Sequence, residues 1–149
     1  MSWKRLLEEE RVARHQSSKR ELDALRGAIE RNLGDAALEG LSADNRFGLT
    51  YEAALLTAKM AVHAAGYRVK VTPGAHRTTF EALALALGRE HRDRADYFEL
   101  CRRKRNNLSY DASGVATERE AEEILTETLG LLDTVEDWIR IDHPGWEKG

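Results

Sequence analysis

The sequence predicts an all-α fold, and three observations carry that expectation. Two prolines occur in 149 residues, so little interrupts helical pairing. Alanine, leucine, glutamate and arginine dominate, and all four are strong helix formers. Apolar residues recur at spacings of three and four along most of the chain, as a helix with one core-facing side requires. With 42% hydrophobic and 33% charged residues, the composition fits one globular domain, or one domain with an arm.

In order along the chain, the first thirty residues read as helix with a break at His15 to Ser18. Ser18 with Glu21 fits a capping box, in which the serine oxygen and the glutamate each meet an orphan amide. Leu22, Leu25, Ile29 and Leu33 then form one apolar stripe. Before the break, Trp3, Leu6, Leu7 and Val12 make a thinner stripe, suited to an arm packed on this chain or on a partner. Ser42 or Asp44 caps the next helix, whose stripe is Tyr51, Leu55, Ala58, Val62 and Ala65, and Gly66 ends it. From Tyr67 to Gly74 the pattern is least helical. Val69 and Val71 alternate with basic residues, but a lone strand has no partner, so an extended loop with a Pro-Gly turn is expected. Phe80, Leu83, Ala84 and Leu87 mark a further helix, stopped by Gly88. Another runs from near His91 towards Leu108. The last starts at a second capping box, Thr117 with Glu120, and carries Ala121, Ile124, Thr128, Leu131, Val135 and Trp138 inward. The expected organisation is an N-terminal helical arm over 1–41, a helical bundle over 42–141 and a frayed tail over 142–149.

Several function classes are disfavoured. No apolar run approaches the ~18–20 residues of a membrane span, and charges near the N-terminus stand where a signal peptide needs an apolar stretch, so a cytoplasmic protein with no membrane role is expected. Cys101 is alone, which excludes an intrachain disulfide and a cysteine metal cluster. Its basic neighbours would lower its pKa, whereas the commoner role of such a residue is that of a small buried filler. His15, His63, His91 and His143 show no ligand-like spacing to acids or to one another, so no metal and no cofactor are expected. Net charge is −3, but its distribution is uneven. Residues 89–105 hold seven basic against four acidic side chains, and residues 117–137 hold eight acids against Arg119.

Chemistry concentrates between Arg102 and Asp111. Tyr97, Phe98, Cys101 and Leu108 share an apolar arc, and Arg105 falls inside it. A guanidinium there needs a polar partner: a carboxylate of the acidic last helix, the edge of a dimer interface, or a phosphate. Arg102, Asn106 and Tyr110 form the adjacent stripe and could converge on one ligand. Arg103 adds to the basic face, and His76 with Arg77, after the Pro-Gly turn at a helix start, forms a second candidate anion-binding cluster. The plainer alternative is a solvated basic face with one arginine salt-bridged to the last helix.

Four stretches taken together resemble a known family: Ala43 to Phe47, Ala64 to Val69, Gly74 to Thr78, and Arg102 to Asn106 with Tyr110 and Asp111. In that order they resemble the HEPN superfamily of small helical-bundle proteins, over about residues 42–141. The resemblance implies a four- to five-helix bundle, a homodimer, and an arginine motif near the cleft between subunits; residues 1–41 are an extra helical segment. Many HEPN proteins are metal-independent endoribonucleases, often toxins of toxin–antitoxin or phage-defence systems. Their arginine maps to Arg105 and the polar residue after it to Asn106, and their histidine position is held by Tyr110. The implied catalytic residues are therefore Arg105, Asn106 and Tyr110, with Arg102, Arg103, His76 and Arg77 binding RNA or phosphate. Tyrosine, with a pKa near 10, is a poor base beside histidine, near 6.5, so either the arginines lower the Tyr110 pKa or His76 supplies the base. The alternative is a non-catalytic module that binds RNA, a nucleotide, or an antitoxin or nucleotidyltransferase partner. Tyr110 could then be the hydroxyl such an enzyme modifies.

Overall fold

A computed structural model describes residues 1–110 and 115–149, without the side chains of Ser109 and Tyr110. Its elements are α1 (Trp3–Glu8), β1 (Val12–Arg14), α2 (Lys19–Ala36), α3 (Ala43–Ala64), β2 (Tyr67–Val69), α4 (Ala75–Leu87), a 3-10 turn (Arg89–His91), α5 (Arg92–Tyr110) and α6 (Glu118–Asp142). The architecture is all-α with one small two-stranded ladder. Among the described residues no helix is long and apolar enough to cross a membrane.

Helix α3 is the axis of the bundle. Small and apolar residues surround it, with Tyr51, Ala53, Ala54, Ala58, Met60, Ala61 and Val62 all fully buried. That lets α2, α4, α5 and α6 each pack against it. Leu22 and Ile29 of α2 join Phe80 and Leu83 of α4, Phe98 and Cys101 of α5, and Ile124, Leu131 and Ile139 of α6 in one apolar cluster. Thus α2, grouped by sequence with the arm, contributes to the main core. At the centre the Phe80 and Phe98 rings stack 5.7 Å apart.

The helix boundaries follow from caps. Ser42 accepts from the Asn45 amide and so is the cap of α3. Thr117 and Glu120 exchange both bonds of a capping box at the start of α6. At Ser18 the box is half-made: its hydroxyl accepts from the Glu21 amide, but the Glu21 carboxylate turns away to His15, Ser17 and His63. Competing donors nearby capture the carboxylate that the motif would have used.

The first segment departs furthest from its expected form. Its helix ends at Glu8, Glu10 takes a left-handed φ of 56°, and Val12–Arg14 becomes a strand antiparallel to Tyr67–Val69, in register Val12 to Val69. The expected loop therefore has a partner strand, supplied from the arm. Trp3 stacks on Tyr67 at 4.0 Å and 5°, and Leu6 and Val12 join Val62 and Ala82 in a second small core. The tail is held as well: Trp146 packs on the main cluster, and its carbonyl accepts from Arg26 at 2.8 Å.

Candidate functional site

The arginine on the apolar stripe is met by an acid. Arg105 Nη2 donates to Glu52 Oε1 at 2.8 Å, and this acid belongs to α3 rather than to the last helix. Lys104, one position earlier, reaches the last helix instead, at 2.6 Å from Glu120 Oε2. A turn of α5 places consecutive residues ~100° apart, so one side chain faces α3 and the next faces α6. The Arg105 guanidinium carbon also lies 6.0 Å from the centre of the Tyr51 ring, within reach of a cation–π contact.

Tyr51 links Arg105 to His76. Its ring is fully buried, and its hydroxyl shares a hydrogen bond with His76 Nδ1 at 3.1 Å. Burial foremost, then the charge of Glu52, raises the Tyr51 pKa far above that of a free phenol. The phenol therefore keeps its proton. Partial desolvation, with Arg105 and Arg102 nearby, lowers the His76 pKa below its usual value of 6.5, against the opposing pull of Glu52. His76 is thus held neutral near pH 7. If Nδ1–H donates to the phenol oxygen, the Nε2 lone pair is left as a base; with the proton the other way, Nε2–H is an acid.

The remaining sequence-predicted residues divide. Arg102 pairs bidentately with Glu99 one turn back, at 2.9 and 2.7 Å, yet its charge still acts on both Tyr51 and His76. Asn106 is exposed on α5. Arg103 and Arg77 are exposed and line a groove of about 470 Å³ between α4 and α5, with Arg89, Arg92 and Glu99 also in its walls. Arg105 and Leu108 line a second cleft of about 520 Å³, against Asp44 and Glu52. Tyr110 closes α5, and its side chain lies outside the described residues. Sequence reasoning missed Tyr51 and Glu52: both sit in a core-facing run where nothing marks a polar role.

Cys101 takes the filler role. It is buried, and desolvation, with Glu123 and Glu127 nearby, pushes its thiol up to about 12, so the basic neighbours do not activate it.

The fold assembles a histidine–glutamate cluster that the sequence spacing does not show. His15, Glu21 and His63 place their ligand atoms within 4.8 Å of one another. Forty-two residues separate Glu21 from His63, and only the fold brings them together.

Compared with known proteins, the chain matches no family model, no curated protein and no solved structure.

Proposed function

We propose that the protein is a HEPN-like, metal-independent endoribonuclease acting at Arg105, with His76 as the base. The observation that carries this reading is the chain Arg105–Tyr51–His76, in which a cation and a neutral imidazole share one buried phenol. RNA cleavage without metal needs these two roles. His76 Nε2 takes the proton from a ribose 2′-hydroxyl, and the 2′-oxygen bonds to the adjacent phosphorus. The bond from phosphorus to the 5′-oxygen breaks, and that oxygen takes a proton from water. Arg105, leaving Glu52, and Arg102 stabilise the charge on the phosphoryl oxygens. The groove carrying Arg77 and Arg103 gives flanking phosphates a path towards the site. Asn106 stands exposed to contact the strand, and Tyr110 takes the family histidine's place at the helix end. A homodimer completes the cleft, and the toxin of a toxin–antitoxin or defence pair is the biological role this chemistry suits.

The test is incubation with total RNA in EDTA. Wild type is expected to give cleaved products, and R105A and H76A none. Cleavage unchanged in both variants removes the proposal. A second reading, a non-catalytic module for RNA, a nucleotide, or an antitoxin or nucleotidyltransferase partner, draws on the carboxylates already paired with Arg102 and Arg105. It expects saturable, salt-sensitive binding with no product.

A further inference from the structure

His15, Glu21 and His63 come from three different elements and converge on one point. His15 follows β1, and its amide extends the ladder by donating to the Gly66 carbonyl at 2.8 Å. Glu21 sits in the first turn of α2, and His63 in the last turn of α3. A strand end, a helix start and a helix end thus present His15 Nε2, His63 Nδ1 and a carboxylate to one another. The histidine rings lie 4.7 Å apart, tilted by 48°.

One oxygen carries the convergence. Glu21 Oε1 is approached by His15 Nε2 at 2.8 Å, Ser17 Oγ at 2.9 Å and His63 Nδ1 at 2.7 Å. A carboxylate oxygen has two in-plane lone pairs, so three donors crowd it. Without a cation, both imidazoles must turn a proton inward. We propose that the cluster is a site for a divalent transition metal of the zinc type, with His15 Nε2, His63 Nδ1 and a Glu21 oxygen as ligands. Two imidazoles and a carboxylate suit Zn²⁺ and Co²⁺ rather than Mg²⁺ or Ca²⁺, which favour all-oxygen shells.

On binding, each ring moves its proton to the nitrogen facing away, His15 to Nδ1 and His63 to Nε2, and the inward lone pairs meet the metal. Ligand atoms on a tetrahedral ion with bonds of ~2.0–2.1 Å stand roughly 3.3–3.5 Å apart. The ligating groups therefore separate by about half an ångström from their present hydrogen-bonded distances. The Ser17 hydroxyl stays on the carboxylate and orients it. Three protein ligands leave a fourth position for water. Because the ligands span the N-terminal strand, α2 and α3, the ion's role is to clamp the arm to the bundle. His63 and Glu52 lie eleven residues apart on α3, about 16 Å along its axis, so the clamp is separate from the Arg105 site.

The test uses the full chain without a polyhistidine tag. Co²⁺ titration followed by visible absorption, and Zn²⁺ titration by calorimetry, are expected to show saturation at one ion per chain. The unfolding temperature should rise with Zn²⁺ concentration. In H15Q and E21Q, whose substituted positions are part-exposed and avoid disturbing buried His63, the saturable binding and the thermal shift should both vanish. Absence of saturable binding by the folded wild type overturns the proposal and leaves a hydrogen-bonded cluster only. So does an equal thermal shift in H15Q and E21Q.

Discussion

Arg105 of α5 and Glu52 of α3 are joined by a 2.8 Å ion pair in which both side chains remain about a third exposed, 35% and 34%. At that exposure screening leaves the pair worth roughly 0.5 kcal/mol to the fold. The acid's larger effect is on what the arginine is free to bind. In E52Q the guanidinium loses one charged competitor, so RNA binding by fluorescence anisotropy should tighten while the urea midpoint barely moves. Weaker RNA binding by a folded E52Q would count against Arg105 as the phosphate contact.

Under the proposed cleavage, the pH dependence follows from His76. Its folded pKa is lowered by partial desolvation and by Arg105 and Arg102, and the base form is the neutral one. Activity should therefore rise along a single acidic limb whose midpoint lies below 6.5, then level off at neutral pH. In R102A, with one repelling charge removed, that limb should move to higher pH. A limb centred near 10 would point to a phenol instead.

Stability should share that acidic sensitivity. Burial lowers the His63 pKa despite the opposing pull of Glu21, and His76 is lowered too, so the unfolded chain binds more protons than the folded one. Their contribution is fully present above about pH 6.5 and is lost as pH falls through the lower folded values. The hydrogen-bonded carboxylates Glu9, Asp23 and Glu99, all held below their usual range, lose theirs in a more acidic window. Urea midpoints taken in steps from pH 7.5 to 3 should therefore fall in two stages, with the upper one diminished in H76A.

The arm's attachment can be tested at Trp3. Its stack on Tyr67 combines ring burial with an aromatic contact, so W3A should cost roughly 2 kcal/mol. Amide exchange should quicken most along Val12–Arg14 and Tyr67–Val69.

Thr128 offers the opposite sign. Among the described residues, its hydroxyl is a fully buried side-chain oxygen with no hydrogen-bond partner. T128V keeps the shape and removes the stranded group, so stability should rise by about 1 kcal/mol.

Local patterns made the helices legible. Ser42, Gly66, Gly88 and the Thr117–Glu120 box each declare a boundary within a few residues of the chain. Pairings over long separations stayed hidden. Val12–Arg14 is too short to show alternation, and its partner lies some fifty residues on. The Arg105 anomaly was visible because a charge broke an apolar period. Its answer, Glu52, was not, since nothing local distinguishes one acid from another. The same limit explains why Ser18 and Glu21 read as a complete box, when His63 from a distant turn takes the carboxylate.

Cys101 has a practical consequence. It is the single cysteine of the chain, buried on α5 one turn before Arg105, and its thiol is held protonated. A thiol-reactive dye can reach it only when α5 separates from the helices packed over it, α6 with Glu123 and Glu127 among them, so labelling speed measures how often that helix opens. The native chain thus carries its own reporter: RNA or a partner that grips α5 should slow the labelling, without any engineered probe.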